Sequence, residues 1–242
     1  MTGLVVITRP RDEANALSAE LTSLGYKTLV EPMLHIMPVS TAMPPLNEYH
    51  ALAFTSANGA RIFAGRSDNR SMPVYAVGSR TADTLRELGF GDIRDAAGDA
   101  DALAVLIANS LGSGGPILHL SGRDVARDLG GLLSAAGIAC DRLMIYETIQ
   151  PAELSEAFVA ALYACTISDV LFFSTRTAAA FGTLIRKRGL TDMISSSIAH
   201  CLSGQVAVEA MSLPWQDVRI ASHPSAAALK ALLPPPSEIH AD

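Results

Sequence analysis

Two hydrophobic periods alternate along this chain. Short continuous apolar runs give way, after a turn, to stretches whose apolar residues recur every three or four positions, and glycine closes most of those stretches. The first run is Leu4-Val5-Val6-Ile7; Ala14, Leu17, Leu21 and Leu24 follow at helical spacing, and Gly25 stops the helix. Further strands are predicted at 51–54, 74–77, 117–120, 170–173, 198–201 and 218–220, each before a helix. Glycine stops fall at Gly89, Gly112, Gly137 and Gly189. Strands that are apolar throughout belong to parallel sheets covered on both faces, so the pattern predicts an α/β fold with right-handed crossovers. The tail from Pro234 to Asp242, with three consecutive prolines, is expected to be extended and mobile.

The two halves match. Arg11-Asp12 with Leu17, Leu21 and Gly25 corresponds to Arg123-Asp124 with Leu129, Leu133 and Gly137, and Phe54-x-Ser56 recurs as Phe172-x-Ser174. Gly78-x-x-Thr81-Ala82 has a weaker counterpart in Ser203-x-x-Val206-Ala207. Any two strand–helix units share some likeness, but the matched order favours a duplication joined at residues 112–116.

Composition narrows the function classes. With 242 residues, 49% of them apolar and 17% charged, the chain is neither disordered nor short of core, and suits one large domain or two small ones. No run is long enough to span a bilayer or serve as a signal peptide, so a cytoplasmic protein is expected. A net charge of −6 argues against nucleic acid as a partner. Cys140, Cys165 and Cys201 are read as buried structural thiols, and six scattered histidines lack the spacing of a metal site. The glycines at 112–115 precede a strand, whereas phosphate loops follow one and open a helix. Neither metal, cofactor nor nucleophile-elbow chemistry is expected.

What remains is a repeated turn at the strand ends, rich in hydroxyls: Thr8-Arg9-Pro10, Thr55-Ser56-Ala57-Asn58, Gly78-Ser79-Arg80-Thr81, Ser121-Gly122-Arg123-Asp124, Ser174-Thr175-Arg176-Thr177 and Ser203-Gly204-Gln205. Ligands of open α/β sheets bind beyond those ends, where helix starts offer backbone N–H groups to anions. Each turn alone is equally an ordinary helix cap, but six together, four of them near an arginine, would suit a polyanion. Residues 33–39 and 143–149 stand apart as extended segments at matching places in the two halves. Paired, they would form a two-stranded connection between lobes. Tyr146 would then sit at a hinge, facing a cleft or packed against the strand pair.

These residues resemble the uroporphyrinogen-III synthase family over nearly the whole chain: Ile7-Thr8-Arg9-Pro10, Phe54-Thr55-Ser56-Ala57-Asn58, Val77-Gly78-x-x-Thr81-Ala82, Tyr146-Glu147-Thr148 and residues 169–174. The resemblance implies two flavodoxin-like, doubly wound parallel-sheet lobes, residues 1–36 with 150–242 and residues 39–147, joined by a two-stranded antiparallel linker with the active site in the cleft. It implies a cofactor-independent lyase that dehydrates hydroxymethylbilane, a linear tetrapyrrole with eight carboxylates, and closes it with ring D inverted. Tyr146 would be the catalytic acid. Arg9, Ser56, Asn58, Thr81, Arg123, Ser174, Thr175, Gly204 and Gln205 would bind substrate. Val206 departs from the family's second Gly-x-x-Thr-Ala turn. A monomer is expected, in transient contact with the upstream hydroxymethylbilane synthase. The alternative is a non-catalytic two-lobe module that binds an anionic small molecule.

Overall fold

The structure, a computed structural model, describes residues 3–111 and 114–236. Its elements in chain order are β1 (Leu4–Ile7), α1 (Arg11–Ser23), β2 (Lys27–Val30), β3 (His35–Pro38), β4 (Ala51–Phe54), α2 (Ala57–Ala64), β5 (Val74–Ala76), α3 (Ser79–Glu87), β6 (Ile93–Asp95), α4 (Ala100–Leu111) and β7 (Ile117–Gly122). There follow α5 (Leu129–Ala135), β8 (Cys140–Ile149), α6 (Glu156–Tyr163), β9 (Ile167–Phe172), α7 (Thr175–Lys187), β10 (Ile198–Cys201), α8 (Gly204–Ala210), β11 (Asp217–Ile220) and α9 (Ala226–Lys230). The chain divides into two compact units, one formed by Met1–His35 with Ile149–Asp242 and the other by Ile36–Thr148.

The discontinuous unit holds a five-stranded sheet in the order β11-β10-β9-β1-β2, parallel throughout. Chain order reverses between β1 and β9, the arrangement of flavodoxin-like sheets. The continuous unit has the order β3-β8-β7-β4-β5-β6, with β8 to β6 parallel and β3 added at the edge. There the reversal lies between β7 and β4. If β1 corresponds to β7, β2 to β8, and β4, β5 and β6 to β9, β10 and β11, as the sequence repeat has it, the five-strand orders are identical.

Both faces of each sheet are covered, as the apolar runs require. In β4, Leu52 and Phe54 enter a cluster with Ala60, Phe63 and Leu85 of α2 and α3. Ala51 and Ala53 face the other way, toward Leu103, Ile107 and Leu133 of α4 and α5. In β9 the same alternation sends Val170 and Phe172 against Phe158 and Phe181 of α6 and α7. Leu171 turns toward Leu17 and Leu21 of α1 and Leu229 of α9. A fully buried Leu or Phe side chain contributes about 1.5–3 kcal/mol, so these four interfaces hold the layers together.

Four of the predicted glycine stops, Gly25, Gly89, Gly137 and Gly189, take positive φ just past their helices. Gly112, its neighbour Ser113 and the tail beyond residue 236 lie outside the described residues. The cysteine reading needs correction: Cys201 is buried, Cys140 is half-buried, and Cys165 is exposed. Cys165 follows α6 at φ 51°, a helix-ending position where glycine is usual, and its surroundings in sequence gave it an apolar look that its location does not share.

Candidate functional site

The reversal between β7 and β4 opens a crevice at their carboxyl ends, the general ligand position of such sheets. A cavity of about 480 Å³ lies there, floored by Thr55 after β4, Val77 after β5, Gly122 at the end of β7, and Tyr146 of β8. Its rim is Asp99, Ala100 and Asp101 at the start of α4, with the 124–127 loop opposite. Arg127 closes that rim with a forked ion pair to Asp101, Nε to Oδ2 at 3.1 Å and Nη2 to Oδ1 at 2.9 Å.

Tyr146 owes its place to Gly122. An added Cβ at Gly122 would stand 2.6 Å from Cε2 of the ring, and one at Gly59 of α2 would stand 3.7 Å from Cε1. The ring is 8% exposed and belongs to the apolar cluster under α2 and α3. Register slips between Ser121 and Gly122, where Gly122 comes opposite Tyr146, and the Arg123 amide then donates to the Tyr146 carbonyl at 2.8 Å. Arg142 holds this bulge from the neighbouring strand, Nε donating to Ser121 Oγ (2.8 Å) and Nη2 to the carbonyls of Gly122 and Arg123 (both 2.7 Å). Bulges commonly redirect a side chain beside a site, and this one sets the tyrosine at the cavity wall.

Beneath the floor, His119 of β7 is 1% exposed, and its Nε2 lies 3.0 Å from Thr55 Oγ1. Burial, reinforced by the Arg142 charge, pushes its imidazole down to about 4, so the ring is neutral at pH 7.

The predicted site residues divide between the units. In the continuous unit, Ser56 caps α2 by accepting from the Asn58 amide at 3.2 Å, and Asn58 accepts from Arg61. Arg123 is exposed and ion-paired with Glu147 at 2.7 Å. Thr81 is buried on the first turn of α3 and does not line the cavity. In the other unit Ser174 caps α7, accepting from the Thr177 amide at 3.2 Å, while Thr175, Gly204 and Gln205 are exposed at the starts of α7 and α8. Arg9 pairs with Glu13 and lies 4.5 Å over the Phe173 ring. The hydroxyl of Thr8 is not offered outward, since it donates to the Leu171 carbonyl at 2.7 Å in a buried position. Val206 is buried in the apolar cluster under α7 and α8, so its side chain packs core.

The same unit holds a second buried polar group. His200 of β10 meets Asp169 of β9, Nε2 to Oδ1 at 2.7 Å, and Ser168 donates to the other oxygen at 2.5 Å. Burial pushes the Asp169 carboxyl up, but the bonds from His200 and Ser168 outweigh it and hold the group below its ordinary value.

Sequence reasoning named the 55–58 turn but chose Ser56 and Asn58 from it, missing Thr55. From the 121–124 turn it chose Arg123 and missed Gly122, and it passed over His119 and Arg127. The signal for His119 was present: a single polar residue in the apolar run Ile117-Leu118-His119-Leu120 must have a buried partner. Among the described residues no three His, Cys, Asp or Glu gather as a metal site, and no helix is long and apolar enough to cross a membrane.

Comparison with known proteins gives the family and the fold. The family model described as uroporphyrinogen-III synthase HemD matches residues 15–231. A porphyrin biosynthesis protein HemD of Ruminiclostridium josui is 24% identical over 192 residues, 73% of this chain; the chain spans only 38% of that protein's length. A uroporphyrinogen-III synthase of Chlorobaculum parvum is 27% identical over 223 residues, covering 86% of this chain and 89% of its own. The crystal structure of a uroporphyrinogen-III synthetase from Helicobacter pylori superposes with a TM-score of 0.63 at 20% identity, covering 96% of this chain and 98% of that one, and so shares the fold. With nearly the whole sequence matched by one family model, this chain belongs to the uroporphyrinogen-III synthase family.

Proposed function

We propose that this chain is a cofactor-independent lyase that closes hydroxymethylbilane to uroporphyrinogen III. The observation that carries the proposal is the match of residues 15–231 to that family, on a chain whose Tyr146 lines a cavity at a sheet reversal. Tyr146 is the acid. As the bond between the terminal methylene and its hydroxyl breaks, the electron pair leaves with oxygen, the phenol proton joins it, and water departs. The methylene carbon is left electron-poor and bonds to the substituted carbon of ring D. This gives a spiro intermediate; the bond from that carbon to the ring C methylene then breaks, the freed methylene bonds to the unsubstituted carbon of ring D, and the proton that carbon loses as the pyrrole regains aromaticity returns to the Tyr146 oxygen. Bilane closes unaided to the uninverted isomer, so holding the two ends in the productive pose matters as much as acidity.

Carboxylate recognition falls to helix starts and cations: Ser56, Asn58, Thr81 and Arg123 in the continuous unit, and Arg9, Ser174, Thr175, Gly204 and Gln205 in the other. The two units are read as the two lobes of the family architecture. β3 and β8, hydrogen-bonded neighbours with the Val39 amide donating to Ile145, are read as the antiparallel linker. The protein is taken to act as a cytoplasmic monomer, receiving substrate from the upstream synthase. The test is to supply hydroxymethylbilane generated enzymatically and separate the product isomers by chromatography. Predominant type III product supports the proposal. Exclusive type I product, even with tight binding of the bilane, refutes it.

A further inference from the structure

We infer that His119 is a positioning residue that fixes the Thr55 hydroxyl as a second hydrogen-bond donor to substrate in the Tyr146 cavity. The inference rests on the activity proposed above and adds a residue pair to it. Three observations carry it. Thr55 and Tyr146 both line the cavity. Its Oγ1 is 3.0 Å from His119 Nε2, and His119 is 1% exposed, a residue that touches no solvent and reaches substrate only through Thr55. The strand order β8-β7-β4 places Arg142, the register partner of His119, on one side of the histidine and Thr55 on the other.

A hydroxyl has one proton, and its direction decides what the cavity presents. If Thr55 donates to His119, only lone pairs face the cavity and a carboxylate or departing hydroxyl there is repelled. If His119 Nε2–H donates to Thr55, the threonine proton is free to point at substrate. The ring is neutral at working pH, so it carries a single proton. Because β8 and β4 flank β7 on opposite sides, the Arg142 cation acts from the side away from Thr55 and so favours the proton on Nε2; Asp128 is the other charged group acting on the ring. His119 is buried, so its ring has no water to turn to in place of Thr55, which keeps the threonine oriented between turnovers.

The experiment has two arms on the full-length protein. Long-range proton–nitrogen NMR of the free protein reads the tautomer. The expected result is a protonated Nε2 whose shift moves in Thr55→Val; a bare Nε2, or no response to Thr55→Val, overturns the inference whatever the activity. The kinetic arm compares Thr55→Val, His119→Phe, His119→Gln and the Thr55→Val/His119→Phe double variant in type III formation. Thr55→Val and His119→Phe each lower kcat about tenfold with KM little changed, the double variant is no slower than Thr55→Val, and His119→Gln, whose amide supplies an N–H at a similar reach, recovers most of the rate. Additive losses in the double variant overturn it, because they mean that His119 acts by packing. If the unsubstituted protein yields only type I isomer, the proposed activity fails by itself, and the NMR arm still decides the hydrogen bond. Should His119→Phe fail to fold, His119→Gln and the NMR arm decide.

Discussion

Replacing Gly122 by alanine should disable the site while leaving the fold in place. An ideal Cβ there lies 2.6 Å from Cε2, 2.7 Å from Cζ and 3.1 Å from Oη of Tyr146. Ordinary carbon contacts are about 3.5–4.0 Å, so ring and strand must part by about 1 Å. Gly122 is not among the positive-φ residues, and the cost is therefore steric. Overpacking of this kind costs about 1–3 kcal/mol, and for a chain of this size each kcal/mol lowers Tm by about 2–4 °C. The larger effect is on the reaction, since a misplacement of about 1 Å in a catalytic group can cost about 100-fold in rate. Isomer-resolved kinetics and thermal unfolding of Gly122→Ala measure the two together. Type III formation should fall by about 10- to 100-fold beside a modest drop in Tm. The same alanine placed on Tyr146→Leu should cost little extra stability, because the ring it collides with is gone. Full activity and unchanged Tm in Gly122→Ala, or an equal Tm loss on both backgrounds, would refute the packing argument.

Tyr146→Phe keeps the ring that Gly122 accommodates and removes the proton; type III formation should fall by about 100-fold or more with Tm unchanged, and an unaltered rate would take Tyr146 out of the chemistry. Asp169 has a folded-state pKa below its unfolded value, so its contribution is present above the ordinary carboxylate value and is lost as pH falls below it, through the lower folded-state value. Asp169→Asn should accordingly lower Tm at pH 7 and by progressively less as pH is taken below the ordinary carboxylate value, and a loss independent of pH would count against the buried His200 pair as the cause.

How much of this was readable in the residues depends on burial. β1, β4 and β10 match their predicted ranges because their runs are covered on both faces. β2 and β6 are sheet-edge strands with half-exposed residues such as Thr28 and Arg94, and give only a faint apolar pattern. The glycine stops were legible because only a left-handed residue closes those helices, and Cys165 escaped because it fills such a position without being glycine. Tyr146 was legible through its resemblance to a family pattern. His119 showed as a lone polar residue in need of a buried partner, but no local period records that partner, Thr55, 64 residues away just after β4, or the partner of Gly122 across a bulge on β8.

The strand β1 has a consequence for biosynthesis. Its partner β2 begins at Lys27, directly after α1, but its other partner, β9, begins at Ile167. At synthesis rates of about 5–20 residues per second, β1 must wait about 8–30 s with one edge unpaired, while the continuous unit has all its strands in hand. An unpaired apolar edge invites wrong pairing. A nascent chain halted after Thr148 should therefore carry a folded continuous unit and a protease-sensitive first 35 residues, and the interval before β9 emerges is when this protein most needs a chaperone.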